Sequence, residues 1–162
     1  MSVWGDMRRR ADGLSDRKED FLEMEYHKAE SGFFEILAKK SYKDVNYVCI
    51  SRGTHPCAYV FCGKEFLDNH SDEWGGLDCI SVHGGVTFTG QANTLVGLSD
   101  YPDDIYCFGW DYAHASDWDG NFSESENAGL HKYTTGDIIN ECENAITQYL
   151  EALETESKTN EL

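Results

Sequence analysis

At 162 residues and 18.3 kDa the chain is sized for one domain, because a second core would leave each half too small to bury much surface. Hydrophobic residues make up 40% and aromatics 13%, which excludes wholesale disorder. The formal charge of −17 and pI near 4.5 exclude general binding to nucleic acid or anionic membrane, since phosphate neutralisation needs clustered Lys and Arg.

The expected class is α+β, a mixed or antiparallel sheet of about four to five strands. N-terminal helices and a long amphipathic C-terminal helix pack on one side of it. Residues 1–40 read as a helical N-terminal region, 41–118 as the sheet with the candidate site, and 119–133 as an acidic loop. Residues 134–156 read as the last helix and 157–162 as a frayed tail.

In chain order, Ser2 caps a short helix ending near Gly13 that carries Trp4, Met7 and the Arg8-Arg9-Arg10 run. Five acids within residues 1–20 offset the five bases there, so this triplet is read as a solvated face or an intramolecular partner. Asp16 starts a second helix through about Ala29, with Ser31-Gly32 as its stop. Phe33 to Lys40 suits helix or strand equally. Tyr47–Ile50 and Cys57–Cys62 read as a hairpin around the Arg52-to-Pro56 turn. Cys79–His83 reads as a third strand that continues as Val86–Thr89 beyond Gly84-Gly85, and Ile105–Trp110 as a fourth. Ala115–Lys132 reads as an exposed loop, a length usually functional or mobile. Thr134 or Thr135 caps the last helix, whose Ile138, Ile139, Cys142, Ala145, Ile146, Tyr149, Leu150 and Leu153 recur at helical spacing. Glu141, Glu143, Glu151 and Glu154 fall outside that stripe.

Six cysteines occur, none in a Cys-x-x-Cys pair, and most within apolar runs. They are read as buried reduced thiols in preference to a disulfide framework or a zinc site. The N-terminal MSVWGDMRRR lacks the apolar core of a secretory signal, and no run of about 18 apolar residues exists. A soluble cytoplasmic protein is therefore expected.

Charge is unevenly placed. Residues 1–64 carry 11 basic and 10 acidic side chains, residues 65–162 carry 2 and 20, and no Lys or Arg lies between Lys64 and Lys132. Three explanations fit: solubility, carboxylates that bind metal, or an acidic face that docks on a basic partner and imitates nucleic-acid phosphates.

Two segments carry the candidate chemistry. In Val82-His83-Gly84-Gly85-Val86-Thr87-Phe88, paired glycines let a ligand approach the main chain, with backbone N–H groups facing an anion; the alternative is a bulge with His83 on a half-buried face. In Gly109-Trp110-Asp111-Tyr112-Ala113-His114-Ala115-Ser116-Asp117-Trp118-Asp119, the three-residue spacing brings Asp111, His114 and Asp117 together on a helical turn or tight loop. That set suits a divalent cation such as Mg, Mn or Zn, or a His base oriented by a carboxylate. Self-capping of an Asp-rich loop is the competing explanation. His27, His55, His70 and His131 read as surface residues.

His83-Gly84-Gly85-Val86-Thr87-Phe88 followed by Phe108-Gly109-Trp110-Asp111, His114 and Asp117 resembles a pattern in small phage and prophage proteins without assigned activity. There the counterpart reads roughly His-Gly-Gly-Leu-Thr-Tyr, then Gly-Phe-Asp-x-x-His-x-x-Asp. Met1-Ser-Val-Trp4-Gly5-Asp6, and Tyr47–Ile50 with Gly53, His55 and Pro56, are also similar. Trp110 stands where that pattern has Phe, and the acidic loop after Asp117 is longer. The resemblance implies a phage accessory protein in the cytoplasm of a bacterial host, and no reaction.

Two functions are expected to compete. One is a metal-assisted hydrolase or ligand-binding protein for a nucleotide-like or other small substrate. In it Asp111, His114 and Asp117 are ligands, His83 and His114 move protons, and Gly84, Gly85, Thr87 and Trp110 contact the ligand. The other is a non-enzymatic acidic inhibitor of anti-defence type that captures a basic host protein by charge.

Overall fold

The computed structural model describes residues 21–160, with side chains through residue 158. Five strands form one antiparallel sheet: β1 (Glu35–Tyr42), β2 (Val45–Ser51), β3 (Pro56–Cys62), β4 (Phe88–Gln91) and β5 (Tyr106–Asp111). Their order is β1-β2-β3-β5-β4. A seven-residue helix, α1 (Lys64–His70), follows β3, and α2 (Thr135–Asn160) closes the chain. The α+β expectation holds.

The ambiguous 33–40 segment resolves as β1. It joins β2 through Lys43-Asp44, both at positive φ (50° and 66°), which is the backbone twist a two-residue hairpin loop requires. β2 is buried on both faces. Tyr47 and Cys49 face α2, whose Ile138, Ile139, Cys142, Ala145 and Ile146 are fully buried. Val48 and Ile50 face the opposite layer, where Ala92 and Leu98 of the Ala92–Ile105 connection pack with Cys107. Both helices therefore lie on one face and an irregular connection covers the other.

The start of α2 is fixed by a reciprocal cap: Thr134 Oγ1 accepts the Asp137 N–H at 3.1 Å, and the Asp137 carboxylate accepts the Thr134 N–H at 2.9 Å. The helix runs on through Asn160, so the frayed tail expected from 157 is helical up to that residue.

Three expected elements differ. The helix over 2–13 lies outside the described residues, as does the start of the one from Asp16. Over residues 22–30 there is no helix: Glu23 bridges Thr134, His27 N–H reaches Gly53 O at 2.8 Å, and Ala29 N–H reaches the Asn121 side chain at 3.0 Å. Long-range bonds replace the local ladder of the expected helix.

Cys79–His83 is not a strand. Its β-prone side chains are outweighed by α2, whose Gln148 amide accepts from Ser81 N at 2.7 Å and donates to Ser81 O at 3.0 Å. Gly84-Gly85 then forms a turn closed by Gly85 N–H to Val82 O at 2.9 Å, and β4 begins only at Phe88. The 115–132 segment is irregular as expected but not wholly exposed. Asn127 is buried and brackets Asp119, accepting its N–H and donating to its carbonyl, both at 2.9 Å.

All six cysteines are free; Cys49, Cys57, Cys107 and Cys142 are buried. Burial pushes the Cys57 and Cys107 thiols up to about 12, so both pack as neutral hydrophobes.

Trp110 belongs to this core and not to a ligand surface. It is 1% exposed, packs with Phe108, and donates its indole N–H to the Tyr112 hydroxyl at 3.0 Å. Trp110→Phe is expected to cost about 1–2 kcal/mol through lost volume and the hydrogen bond that the Tyr112 hydroxyl accepts. Thermal denaturation checks this; an unchanged Tm would contradict it.

Candidate metal centre

The end of β5 leads into the site. Asp111 closes the strand, and its carboxylate accepts the Ala113 N–H at 3.1 Å, turning the chain. Tyr112, 1% exposed, points back toward α2 and donates to Glu141 Oε1 at 3.0 Å. The next four residues close a turn in both directions. Asp117 N–H donates to His114 O at 2.9 Å, and His114 N–H donates to Asp117 Oδ2 at 2.9 Å. The three-residue spacing of His114 and Asp117 thus reflects a self-capped turn and not a helical face. Strand-like bonds hold the far side, with Trp118 N–H to His131 O at 2.8 Å and His131 N–H to Ser116 O at 2.9 Å.

His83 arrives from 34 residues away in sequence and meets the same oxygen. Its Nε2 lies 2.8 Å from Asp117 Oδ2, and His114 Nδ1 lies 3.1 Å from that atom. The His83 ring is stacked on Tyr112, with centroids 4.9 Å apart, and stands edge-on to His114 at 5.0 Å. Its backbone N–H reaches Glu141 Oε1 at 3.4 Å. Tyr133 completes the cluster: its hydroxyl donates to Asp117 Oδ1 at 3.3 Å and lies 3.5 Å from His83 Nδ1.

Exposure is graded across this group. The Asp117 side chain is 1% exposed, His83 24% and His114 35%. Burial alone would raise the Asp117 carboxyl, but hydrogen bonds from His83 and from the His114 backbone and ring hold it below the usual carboxylate range. A buried anion therefore sits beneath two imidazoles whose outer edges reach solvent. Burial, reinforced by Asp117, pushes the Tyr133 hydroxyl up; burial, with Glu141 behind it, does the same to Tyr112. Both stay protonated as donors.

His83, His114 and Asp117 each offer a ligand atom within 4.8 Å of the other two, close enough to hold a metal ion. Ligands bound at about 2.0–2.1 Å around a tetrahedral ion stand roughly 3.3 Å apart, so the spacings of 2.8 and 3.1 Å need little adjustment. The other ring nitrogens also have partners. His114 Nε2 faces Asp111 Oδ1 at 3.8 Å, and His83 Nδ1 faces the Tyr133 oxygen.

The remaining candidates divide. Gly84 abuts the site: its φ is +71°, and a Cβ there would stand 2.2 Å from His114 Cε1. Gly85 N–H is committed to Val82, so it does not face an anion. Thr87 is exposed, and its N–H extends the β4–β5 pairing to Gly109 O at 2.9 Å. Asp111 is a neighbour of His114 and lies outside the set of three.

Tyr133, Tyr112 and Glu141 had no sequence signal as site residues; Glu141 reads as a solvent-facing helix position. Beside the cluster is a cavity of about 300 Å³ lined in part by Tyr26, Trp118, Phe122 and Lys132. The Lys132 ammonium lies 4.7 Å from the Trp118 ring centroid, and the Tyr26 hydroxyl accepts the Tyr133 N–H at 3.3 Å. Burial first, and Asp117 and Asp137 next, push Tyr26 up to about 12. Of the other histidines, His131 is exposed, while His27, His55 and His70 are half-buried. Burial holds His55 below its ordinary value. No helix among the described residues is long and apolar enough to cross a membrane.

No protein-family model, curated protein or solved structure matches this chain.

Proposed function

We propose that the protein binds a divalent metal ion through His83 Nε2, His114 Nδ1 and Asp117 Oδ2, and uses it to bind and hydrolyse a small anionic, nucleotide-like substrate. One observation carries the reading: two imidazoles from separate segments aim at a single oxygen of a carboxylate that is 1% exposed. An ionised buried carboxylate demands compensation. Here the neighbouring groups are imidazoles, whose nitrogens are also metal ligands. The outer edges of His83 and His114 reach solvent, and a divalent ion held by these residues would supply an activated water as nucleophile.

The adjoining cavity is lined by Tyr26, Trp118 and Lys132 together with Glu25 and Glu124; the Lys132 ammonium lies over both rings and pairs with Glu23 at 3.2 Å, a pairing that an anionic substrate would have to displace. Asp111 is a positioning residue for His114, and Tyr133 for His83.

Calorimetric titration of Mn²⁺ into the wild type and His114→Ala tests the reading. One site is expected in the first and none in the second, with affinity falling as pH is lowered because binding displaces protons. Equal heats in the two proteins contradict it.

A second reading, the acidic inhibitor of a basic host protein, is favoured by Trp74. This residue is 83% exposed on a turn between Glu73 and Gly75-Gly76 and is flanked by Asp72. An exposed aromatic set among carboxylates is an anchor for a cationic surface. That reading expects a partner retained at low salt, released at high salt and lost with Trp74→Ala; salt-independent retention contradicts it.

A further inference from the structure

We propose that His70, Asp78 and Cys79 form a second, thiolate-containing site for a zinc-like ion, where the end of α1 meets α2. The three ligand atoms lie within 4.8 Å of one another, and His70 Nδ1 is 2.9 Å from Asp78 Oδ1. A sulfur, an imidazole nitrogen and one carboxylate oxygen suit zinc, and suit poorly the magnesium or manganese that oxygen-rich sites favour.

The surroundings are those of a prepared ligand set. The other ring nitrogen of His70, Nε2, is hydrogen-bonded to Glu156 of α2. The Glu156 carboxylate orients the ring, as carboxylates behind metal-bound histidines do, and the Nδ1 contact with Asp78 is a hydrogen bond whose proton an ion would displace. Phe66 packs against the His70 ring with centroids 4.8 Å apart. The connecting loop is closed by its own bonds: Ser71 bridges Leu77, and Asp78 N–H reaches His70 O at 3.3 Å. The Asp72 carboxylate accepts the Trp74 and Gly76 N–H groups at 2.8 and 2.9 Å. Carboxylates facing both nitrogens of one imidazole call for positive charge between them. A proton on each nitrogen supplies it in the free protein, and an ion would replace the one facing Asp78.

Cys79 is half-buried and packs against the main hydrophobic cluster. Burial and Asp78 push its thiol up to about 11, so the free protein holds it protonated and metal binding must release that proton. The ion would tie α1, the loop and, through Glu156, α2 at the point where the segment toward His83 begins.

Titration of Co²⁺ into the reduced full-length protein tests this site apart from the first. The His83, His114 and Asp117 set contains no thiol, so a near-ultraviolet thiolate-to-cobalt charge-transfer band reports only a cysteine ligand. The band is expected in the wild type and in His114→Ala, and absent in Cys79→Ser. Glu156→Gln is expected to weaken zinc binding by about 10–100-fold while the band remains at saturation. In the unmodified protein, zinc is expected to protect Cys79 from alkylation, read by mass spectrometry, which needs no variant to fold. No band in the folded wild type, a band persisting in Cys79→Ser, or alkylation of Cys79 unaffected by zinc each overturns the proposal.

Discussion

Asp117→Ala is expected to abolish Mn²⁺ binding and to lower stability by about 3 kcal/mol. The loss follows from what the carboxylate does without metal: it accepts from His83, from the His114 ring and backbone, and from Tyr133. Removing it leaves donors facing a space too enclosed for bulk water to replace an anion. At this chain length the corresponding drop in Tm is roughly 6–12 °C. Asp117→Asn retains the shape but not the charge and is expected to lose metal binding with a smaller drop. The fold also gains acid sensitivity from this group. A carboxyl held low in the folded state adds stability above its unfolded value, and that stability is lost as pH falls through the folded one. Circular dichroism melts and Mn²⁺ calorimetry measure both effects. A wild-type Tm with wild-type heats in Asp117→Ala would remove Asp117 from the centre.

The second large effect is at the paired glycines, which provide their own control. Gly84 and Gly85 both have positive φ, +71° and +83°, so alanine at either costs about 1–2 kcal/mol of left-handed backbone strain. They differ in what a side chain would meet. At Gly84 a Cβ stands 2.2 Å from His114 Cε1 and 2.3 Å from Nε2, whereas at Gly85 nothing lies within 4 Å. Gly84→Ala must therefore swing His114 off Asp117, and displaced imidazole geometry is expected to cost more than tenfold in Mn²⁺ affinity. Gly85→Ala is expected to show a similar stability loss with affinity kept. Equal affinity in the two variants would mean that His114 is not held by this contact.

The contrast between these glycines also shows where sequence reading works. The Gly-Gly pair marks a bend, but its backbone N–H groups serve the turn and not an anion, and the glycine that matters does so by admitting a ring. β2, β3, β5 and α2 were legible because apolar spacing and turn residues act locally. The 79–83 segment misleads because its backbone is satisfied by Gln148 and Glu141, side chains of a helix more than fifty residues on. Residues 22–30 mislead likewise, since their bonds go to Gly53, Asn121 and Thr134. Lys43-Asp44 lacks the glycine that usually announces a tight hairpin, which left β1 ambiguous. Within the site, the His114–Asp117 spacing was visible and its physical cause was a capped turn. The approach of His83 depends on the whole sheet. Tyr133 and Glu141 have no local signature, because phenols and glutamates are common on surfaces and only the fold turns these two inward.

The most direct measurement is an anomalous difference map from crystals equilibrated with Mn²⁺. The expected result is a peak about 2.0–2.2 Å from His83 Nε2, His114 Nδ1 and Asp117 Oδ2, with both imidazoles released from the carboxylate hydrogen bonds they make without metal. A map with no peak at these three atoms, and with His83 and His114 still bonded to Asp117, would contradict a metal centre here.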